Sequence, residues 1–266
     1  MMDNKIGVIS IATNKYLDLY FDLVISFRDN SSGFSSITFY LFTDRTEDAR
    51  KFALDHAFSN IVIVEIQNLG WPDASLLRYK IFDDHKEIFN TDILVHCDSD
   101  MLILRDPTMQ FDLANEVMTF IRHPGYYFKF SIRFPIYVAK NPRKLLSFIT
   151  LLIKNGGIGA WDSKKNSPAY VSRRKRNHYF CGGLWFARKS TFMDFCKMLS
   201  ERTSDGLKQE YVPTWHDESY LNWYASGNKH NELSPLFCSD GKVDQLFVEK
   251  PYIKAVHKPI QGYHGN

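Results

Sequence analysis

The sequence predicts an α/β fold built on a doubly wound, mostly parallel sheet that is flanked by helices. Over the first hundred residues, short apolar runs alternate with helical patterns, which is the signature of β-α-β units. These runs are apolar throughout rather than at every second residue, as expected for strands buried on both faces of a parallel sheet. With 266 residues the chain can bury one large core. We therefore treat residues 1–266 as a single domain with halves 1–106 and 107–266.

The first half contains four predicted strands and three predicted helices. The strands cover 6–12, 37–42, 61–66 and 93–97, and the helices cover 16–27, 47–56 and 74–88. In sheets of this type, ligands bind at the carboxyl ends of the strands. No G-x-G-x-x-G motif follows the first strand and the chain has no P-loop, which disfavours a dinucleotide or ATP site.

The second half of the chain is less regular. It contains predicted strands at 117–122 and 179–186 and predicted helices at 143–154, 191–201 and 218–225. The polar stretch 162–177 includes the run Arg173-Arg174-Lys175-Arg176. Such a run is usual in a solvated loop, but it would also suit a mobile lid whose cations approach a diphosphate.

The charge and cysteine content exclude several classes of function. A formal net charge of +3 gives the whole chain no electrostatic case for binding nucleic acid. The chain has no C-x-x-C pair, so its cysteines are expected to be reduced core thiols; they are Cys97, Cys181, Cys196 and Cys238. The longest apolar stretch, 145–153, is far shorter than the roughly 20 residues that span a membrane. Without a signal-peptide pattern, the chain is expected to be cytoplasmic and at most peripheral at a membrane.

The tripeptide Asp98-Ser99-Asp100 comes directly after the apolar strand 93–97. Two carboxylates at positions i and i+2 point the same way as the chain leaves a strand, so both can bind one hard divalent cation. That cation would neutralise the phosphates of a nucleotide sugar and stabilise the departing diphosphate. The same pattern occurs in solvated turns, but its position at the end of a strand favours a metal site.

A second motif, Trp215-His216-Asp217-Glu218-Ser219, opens the last predicted helix. Asp217 suits the N-cap of that helix, where a carboxylate accepts hydrogen bonds from backbone N–H groups. A carboxylate beside an indole and an imidazole also suits the hydroxyls and the apolar face of a sugar. The second carboxylate, Glu218, would then serve the anomeric carbon.

Extended to Trp215-His216-Asp217-Glu218-Ser219-Tyr220-Leu221-Asn222, this motif closely resembles the W-H-D-E-S-H-L-N segment of glycosyltransferase family 6. That family includes the ABO blood-group transferases and the α1,3-galactosyltransferases. Eight further matches occur in the family's order and cover nearly the whole chain. They are Ile11-Ala12-Thr13-Asn14-Lys15-Tyr16, Tyr40-Leu41-Phe42-Thr43-Asp44, Ser75-Leu76-Leu77-Arg78, Asp98-Ser99-Asp100, His123-Pro124-Gly125-Tyr126, Tyr179-Phe180-Cys181-Gly182-Gly183, and Leu233-Ser234-Pro235 with Asp240 and Ala255-Val256-His257-Lys258 after it.

The resemblance implies a GT-A fold, a UDP-Gal or UDP-GalNAc donor, and retaining transfer to a galactoside-type glycan with an α1,3 linkage. It also implies Mn²⁺, or Mg²⁺ in its place, bound by Asp98 and Asp100. Glu218 would be the catalytic carboxylate nearest the reacting carbon. The other positions expected to bind the donor are Ile11, Ala12, Tyr16, Arg78, Ser99, Cys181, Gly182, Gly183, Asp217 and Lys258. The positions expected to line the acceptor site are His123, Trp215, His216 and Asp240.

The chain also departs from the family at two places. Between His123 and Ser167 it carries more residues than the mammalian members, so acceptor contacts in that stretch are not transferable. The tail lacks the family's terminal Arg, and a cation from 173–176 would have to replace it in closing over the donor. The missing membrane anchor resembles a bacterial or viral type of member. The segment Cys181-Gly182-Gly183 leaves volume for an N-acetyl group, which favours UDP-GalNAc over UDP-Gal.

Two alternatives remain open at the level of sequence. The first is a retaining transferase of another D-x-D family, such as the glycogenin-like enzymes, against which the Trp215–Ser219 motif argues. The second is a catalytically silent module that binds a glycan or a nucleotide sugar. Pure binding needs neither a paired metal site nor a carboxylate at the anomeric carbon, so Asp98, Asp100 and Glu218 favour the enzyme.

Overall fold

The computed structural model describes residues 4–70, 72–127 and 133–256. The strands within these residues are β1 (Ile6–Ile11), β2 (Ile37–Thr43), β3 (Ile61–Glu65), β4 (Ile93–Cys97), β5 (Met101–Ile103), β6 (Thr119–Arg122), β7 (Phe180–Arg188), β8 (Asn231–Leu233) and β9 (Ile253–Ala255). The helices are α1 (Tyr16–Asn30), α2 (Thr46–Asp55), α3 (Asp73–Leu76), α4 (Arg78–Asp84), α5 (Thr108–Asp112), α6 (Phe134–Lys140), α7 (Pro142–Asn155), α8 (Lys189–Lys208) and α9 (His216–Gly227). Six short 3-10 segments join them: Phe34–Ser36, Lys86–Ile88, Pro124–Tyr126, Arg173–Lys175, Pro235–Phe237 and Val243–Leu246.

The main sheet has seven strands in the order β3-β2-β1-β4-β7-β6-β8, and β5 pairs with β9 in a separate ribbon. Strands β3, β2, β1 and β4 are all parallel, and β8 is parallel to β6. Strand β7 runs antiparallel to both of its neighbours, β4 and β6. The predicted α/β fold with a mostly parallel sheet and flanking helices is therefore confirmed, and it is consistent with a GT-A fold.

The antiparallel strand β7 brings two distant parts of the chain together at the carboxyl end of β4. Because β7 runs opposite to β4, its first residues lie beside the last residues of β4, and Cys97 pairs with Leu184. One residue further on, the backbone N–H of Asp98 donates to the carbonyl of Gly183 at 2.8 Å. The start of β7 therefore borders the point where Asp98-Ser99-Asp100 leaves the sheet.

Apolar layers cover both faces of the sheet. Ile93, Val95 and Cys97 of β4 face the core layer that includes α1, whereas Leu94 faces the layer that includes α4, α8 and α9. This alternation explains why the strand reads as a continuous apolar run. In the second layer, the fully buried Trp185 stacks on Phe192 with ring centroids 4.7 Å apart.

The helix predicted at 74–88 is wrong as a single element. The chain forms α3, then begins α4 at Arg78, and ends in the 3-10 segment Lys86–Ile88. Leu77, between the two helices, has φ −94° and ψ 1°, which interrupts the helical hydrogen-bond pattern. The interruption places Arg78 in the first turn of α4, buried beneath the cleft described below.

Several elements carry no readable signal in the sequence. Strands β5, β8 and β9 have only three residues each, and α5 has five, so none is long enough to show a period. Helix α8 extends beyond the predicted 191–201 to Lys208 and includes Gly206. Glycine is favoured there because the Cβ of any other residue would collide with the hydroxyl oxygen of Tyr220.

The expectations for cysteines and membrane spans concern the same described residues. All four cysteines are buried and free, as expected for reduced core thiols. Within residues 4–70, 72–127 and 133–256, every helix is too short or too polar to cross a membrane.

Candidate active site

A cleft of two adjoining chambers opens at the carboxyl ends of β1 and β4. The first chamber is lined by Ile11, Thr13, Tyr16, Leu69, Ala74, Ser75, Arg78, His96, Asp98, Ser99 and Asp100. The second chamber is lined by Ser75, Arg78, Asp98, Asp100, Met101, His123, Cys181, Gly182, Gly183, Trp215, His216, Asp217, Glu218, Cys238 and Ala255. Asp98 and Asp100 line both chambers and therefore lie where the two chambers meet.

A buried guanidinium group, that of Arg78, connects the walls of the cleft. Its Nη1 lies 3.2 Å from Oδ1 of Asp98 and 3.3 Å from Oδ2 of Asp217. The same nitrogen donates to the carbonyl of Gly182 at 3.1 Å and lies 2.7 Å from Nε2 of His96. Burial alone would lower the pKa of Arg78, but the two carboxylates raise it above its ordinary value. The group therefore stays charged and holds four parts of the chain together.

His96, in β4, is the neutral member of this network. Burial and then the charge of Arg78 lower the pKa of His96 to about 4. Near pH 7 the imidazole is therefore uncharged, and its Nε2 can accept the hydrogen bond from Arg78. Because this ring is neutral, Arg78 is the one positively charged side chain that contacts both Asp98 and Asp217 among the described residues.

Asp217 is not the N-cap residue that the sequence suggested. Helix α9 begins at His216, and its N-cap position is Trp215, which makes no side-chain cap. Asp217 lies inside the first turn and points its carboxylate at Arg78. Burial raises its pKa to about 7, against the lowering effect of Arg78. The expected cap is wrong because a buried cation competes for the carboxylate more strongly than backbone N–H groups do.

Glu218 lines the second chamber, and the first residues of β7 bind its carboxylate. Its Oε2 accepts a hydrogen bond from the backbone N–H of Gly182 at 2.8 Å. Burial raises the pKa of Glu218 to about 7, while the bonds from Gly182 and from the hydroxyl of Tyr179 oppose that rise. Nε2 of His123 lies 4.0 Å from the same carboxylate. Near neutral pH, Glu218 is therefore poised between its ionised and protonated forms.

Asn222, one turn further along α9, fixes the position of these carboxylates. Its side-chain amide accepts from the N–H of Phe180 and donates to the Phe180 carbonyl, both at 2.8 Å. The amide nitrogen also donates to the carbonyl of Glu218 at 2.9 Å. These bonds attach the first two turns of α9 to the first residue of β7 and so set the distance between Glu218 and Gly182.

The backbone at His216 has an unusual conformation. Its φ of 44° lies in the left-handed region, which costs a non-glycine residue on the order of 1 kcal/mol. His216 lines the second chamber, directly before Asp217. The strain thus lies where the chain turns into α9 and aims Asp217 and Glu218 into the cleft.

Two glycines allow the carboxylates to approach the strand closely. A Cβ at Gly182 would lie 3.0 Å from Oδ2 of Asp217, and one at Gly183 would lie 2.5 Å from Cε of Met101 and 3.1 Å from Oδ2 of Asp98. Any side chain at these positions would push Asp98 and Asp217 away from Arg78. The packing of the carboxylates therefore requires glycine at both positions. Gly182 and Gly183, here called the glycine strip, also form part of the wall of the second chamber.

The acidic pair Asp98 and Asp100 fits a hard divalent cation in its chemistry. Both side chains line the junction of the chambers and offer only oxygen ligands. Among the described residues, no group of three or more His, Cys, Asp or Glu side chains is arranged to hold a metal. A cation bound here would need further oxygen ligands besides these two carboxylates.

The structure brings most of the predicted site residues into this one cleft. Those that line a chamber are Ile11, Tyr16, Arg78, Asp98, Ser99, Asp100, His123, Cys181, Gly182, Gly183, Trp215, His216, Asp217 and Glu218. Ala12 is fully buried and lines neither chamber. The carboxylate of Asp240 accepts from the backbone N–H groups of Lys242 and Val243, and this residue too lines neither chamber. Lys258 lies outside the described residues.

The basic run at 173–176 lies elsewhere. Lys175 and Arg176 line a separate cavity with His178, His230 and Glu232. Arg176 is buried and donates to the carbonyl of Val171 at 2.8 Å. In this structure Lys175 and Arg176 line neither chamber of the cleft, and the choice between a solvated loop and a mobile lid stays a prediction.

Sequence reasoning missed three kinds of cleft residue. His96 was passed over, although a lone imidazole in an apolar strand, two positions before Asp98, projects from the same side of the strand. Met101 and Cys238 line the second chamber but look like ordinary core residues. Thr13 and Ser75 line the first chamber and lie within the matching segments, but no role followed from the sequence alone.

We expect Arg78→Met to lower the free energy of unfolding by about 3–5 kcal/mol at pH 8, since it leaves Asp217 buried without its cation. The loss should shrink as the pH falls from alkaline values towards 7, because without Arg78 the pKa of Asp217 lies above its value of about 7, and protonation of Asp217 in the variant removes the uncompensated charge. Chemical denaturation at several pH values measures this loss of unfolding free energy.

Arg45→Met is the control, since Arg45 also bonds two aspartates but is 34% exposed, and it should cost at most about 1 kcal/mol. Equal losses in the two variants would contradict the role of Arg78, and adding Asp217→Leu to Arg78→Met should recover part of the loss.

Comparison with known proteins extends these observations. A scan against models of protein families finds no match. The chain is 23% identical over 233 residues to the O-antigen biosynthesis glycosyltransferase WbnI of Escherichia coli, which covers 87% of this chain and 86% of that protein. It is 22% identical over 251 residues to histo-blood group ABO system transferase 1 of Rattus norvegicus (91% of this chain, 63% of that protein) and 21% identical over 248 residues to transferase 2 of the same species (90% and 65%).

The chain thus spans less than two thirds of the length of the two rat transferases, but most of the length of the bacterial protein. The similarity extends over nearly the whole chain in all three cases. Together with the α/β fold and the acidic cleft, it makes this protein a relative of the ABO-type transferases of glycosyltransferase family 6.

Proposed function

We propose that the chain is a metal-dependent, retaining glycosyltransferase that moves GalNAc, or Gal, from a UDP-sugar to a galactoside-type glycan and forms an α1,3 linkage. The observation that carries this proposal is the placement of Asp98, Asp100 and Glu218 along one cleft in a chain related to ABO-type transferases. A metal-binding pair suits the donor diphosphate, and a largely buried carboxylate beyond it suits the anomeric carbon.

The first chamber would hold the nucleoside of the donor. Ile11 and the aromatic ring of Tyr16 form part of its wall, and such surfaces pack well against a base. The hydroxyl of Thr13 donates to the carbonyl of Leu69 at 3.0 Å, which fixes the opposite side of the chamber. Ala12 is fully buried next to Ile11, so it would shape this wall from beneath.

The junction of the chambers would hold the diphosphate and a metal ion. Mn²⁺ or Mg²⁺ bound by Asp98 and Asp100 would neutralise the phosphate charge and stabilise the leaving group. Two carboxylates supply fewer ligands than the six or so that such an ion needs, so diphosphate oxygens and water would complete the set. Arg78 holds Oδ1 of Asp98 in place, and this orients the carboxylate before any ligand binds.

Glu218 would act at the anomeric carbon. Retention requires the acceptor to enter on the face that UDP leaves, so a carboxylate either attacks first from the opposite face or stabilises the cationic carbon during same-face transfer. The Gly182 N–H fixes the orientation of Glu218, and a pKa of about 7 leaves a substantial ionised fraction near neutral pH. Both routes use the ionised carboxylate.

The outer part of the second chamber would bind the acceptor glycan. Trp215 is half exposed and offers a flat apolar face to a sugar ring. Nδ1 of His123 accepts from the N–H of Gly125 at 2.9 Å, so Nε2 carries the proton of the neutral ring and can donate to a sugar hydroxyl. His216 lines the same chamber. A glycan acceptor also fits the bacterial relative, whose name describes O-antigen biosynthesis.

We expect Glu218→Gln to keep UDP binding but to lower kcat by at least about 10²-fold, because the amide keeps the shape and loses the charge. UDP release from a panel of UDP-sugars with Mn²⁺, and calorimetric UDP binding, measure the two effects. Glu116→Gln serves as the control, since Glu116 has a largely exposed side chain and lines neither chamber. A near-native kcat in Glu218→Gln would remove its catalytic role, and a wild-type protein that releases no UDP would indicate a silent binding module.

Chelation should abolish transfer, and addition of Mn²⁺ or Mg²⁺ should restore it, because the diphosphate charge needs a cation. The double variant Asp98→Asn, Asp100→Asn should lose at least about 10²-fold in kcat/KM even at saturating metal. Asp48→Asn with Asp205→Asn is the matched control at exposed positions. Full activity after exhaustive chelation would refute the metal site.

The donor preference can be measured by competition between UDP-GalNAc and UDP-Gal at equal concentration. Gly182 and Gly183 border the second chamber, but Asp217, Met101 and Asp98 fill the space that a side chain would occupy there, so the volume for an N-acetyl group would lie further out in the chamber. As the sequence resemblance implies, we expect a higher kcat/KM with UDP-GalNAc. The two donors share the same UDP, so the ratio isolates the sugar pocket, and a higher value for UDP-Gal would reverse the assignment.

A further inference from the structure

Helix α7 exposes an apolar stripe that the described protein leaves uncovered. Leu145, Leu146, Ile149, Leu152 and Ile153 follow the spacing i, i+1, i+4, i+7 and i+8 and span about 120° of the helix circumference. All five are between 37% and 72% exposed. A stripe of this width normally faces a core, so its exposure indicates a surface that meets another apolar phase.

The attachment of α7 leaves this stripe pointing outward. Phe148 is buried, and at 100° per residue it lies about 100° from Ile149, the centre of the stripe. Tyr137 of α6, the preceding helix, is also buried and packs in a small cluster with Val243 and Leu246. The α6–α7 unit is therefore fixed to the protein by one side, and the apolar stripe is not part of that attachment.

The segment that contains α7 carries an extreme local charge. Residues 122–176 hold 13 of the 33 Lys and Arg residues but only one of the 30 acidic residues, Asp162. The remaining 211 residues therefore carry 20 Lys and Arg against 29 Asp and Glu. A chain with a formal net charge of +3 is thus strongly polarised along its sequence, and α7 lies within the positive segment.

Several of these cations are exposed on the two helices that carry or precede the stripe. Lys140, Arg143 and Lys154 are exposed on α6 and α7. Arg143 and Lys154 lie about 120° and 140° from Ile149 around the helix, on its polar side, from which long side chains can extend towards lipid headgroups. The guanidinium of Arg173 donates to the carbonyl of Lys154 at 2.7 Å, so the basic run at 173–175 lies against the end of α7. Helix α7 therefore carries an apolar stripe on one side and cations on its polar side and at its end.

We propose that α7 is an interfacial helix that binds an anionic lipid surface, with its apolar stripe among the acyl chains and its flanking cations at the headgroups. This is the combination that an anionic bilayer offers and requires. A second copy of the chain fits less well, because contact through α7 would bring two strongly positive segments together. The inference rests on α7 and its charges and is independent of the chemistry at the cleft.

Co-sedimentation with vesicles tests the proposal directly. The wild-type protein should partition at least about tenfold more strongly onto phosphatidylcholine vesicles containing phosphatidylglycerol than onto phosphatidylcholine alone, and this binding should weaken as salt is raised. Equal partitioning onto both vesicle types, or no partitioning, would overturn it.

Matched variants assign the binding to α7. Leu146→Ser, Ile149→Ser and Ile153→Ser together should reduce partitioning at least about tenfold, and Arg143→Gln with Lys154→Gln should reduce both the partitioning and its dependence on salt. The control combines Leu54→Ser, Met109→Ser and Val248→Ser at apolar positions that are 76–81% exposed elsewhere, and it should bind as the wild type does. Thermal unfolding checks that each variant is folded.

Two results from these variants would overturn the proposal. The first is unchanged vesicle binding by the α7 stripe variant. The second is a concentration-dependent dimer of the wild type, seen by light scattering, that the stripe variant abolishes while vesicle binding is absent. That result would assign the stripe to a second copy of the chain.

Discussion

The cleft depends on one buried cation. Arg78 is in contact with Asp98 after β4, with Asp217 in α9, with the carbonyl of Gly182 in β7 and with His96 in β4. Two carboxylates, one backbone carbonyl and one imidazole, which would otherwise repel one another or lack a partner, are arranged around its Nη1 atom. The guanidinium keeps its charge in this buried position, and that charge offsets the repulsion between the two carboxylates.

The direction of β7 makes this arrangement possible. If β7 were parallel to β4, its first residues would lie beside the amino end of β4, far from Asp98. Because β7 is antiparallel to β4, the glycine strip and the carbonyl of Gly182 lie at the carboxyl end of β4. Asn222 then attaches α9 to the same point through the backbone of Phe180. Backbone pairing and the amide of Asn222 thus complement Arg78 in positioning the carboxylates.

Much of this fold follows from the sequence, because buried parallel strands and long helices have strong patterns. The strands β1 to β4 are readable as apolar runs, and the place of Asp98 at the end of β4 follows from them. Pairing across the sheet is not readable, so neither the direction of β7 nor the role of Gly182 could be derived from local pattern. Asp217 shows the same limit: its position suggests a cap, and only the tertiary contact with Arg78 decides otherwise. The exposure of α7 was also hidden, because an apolar helical stripe normally indicates burial.

The long reach of the Arg78 contacts has a consequence for how the molecule assembles. Arg78 and Gly182 are 104 residues apart, and the hydroxyl of Tyr79 bonds the carbonyl of Asp217 across 138 residues. Closing such loops costs conformational entropy that local helices and neighbouring strands do not pay. A refolding chain can therefore regain most of its helical signal while the cleft is still incomplete. Recovery of ligand binding is for this reason a stricter criterion of the native state than recovery of secondary structure.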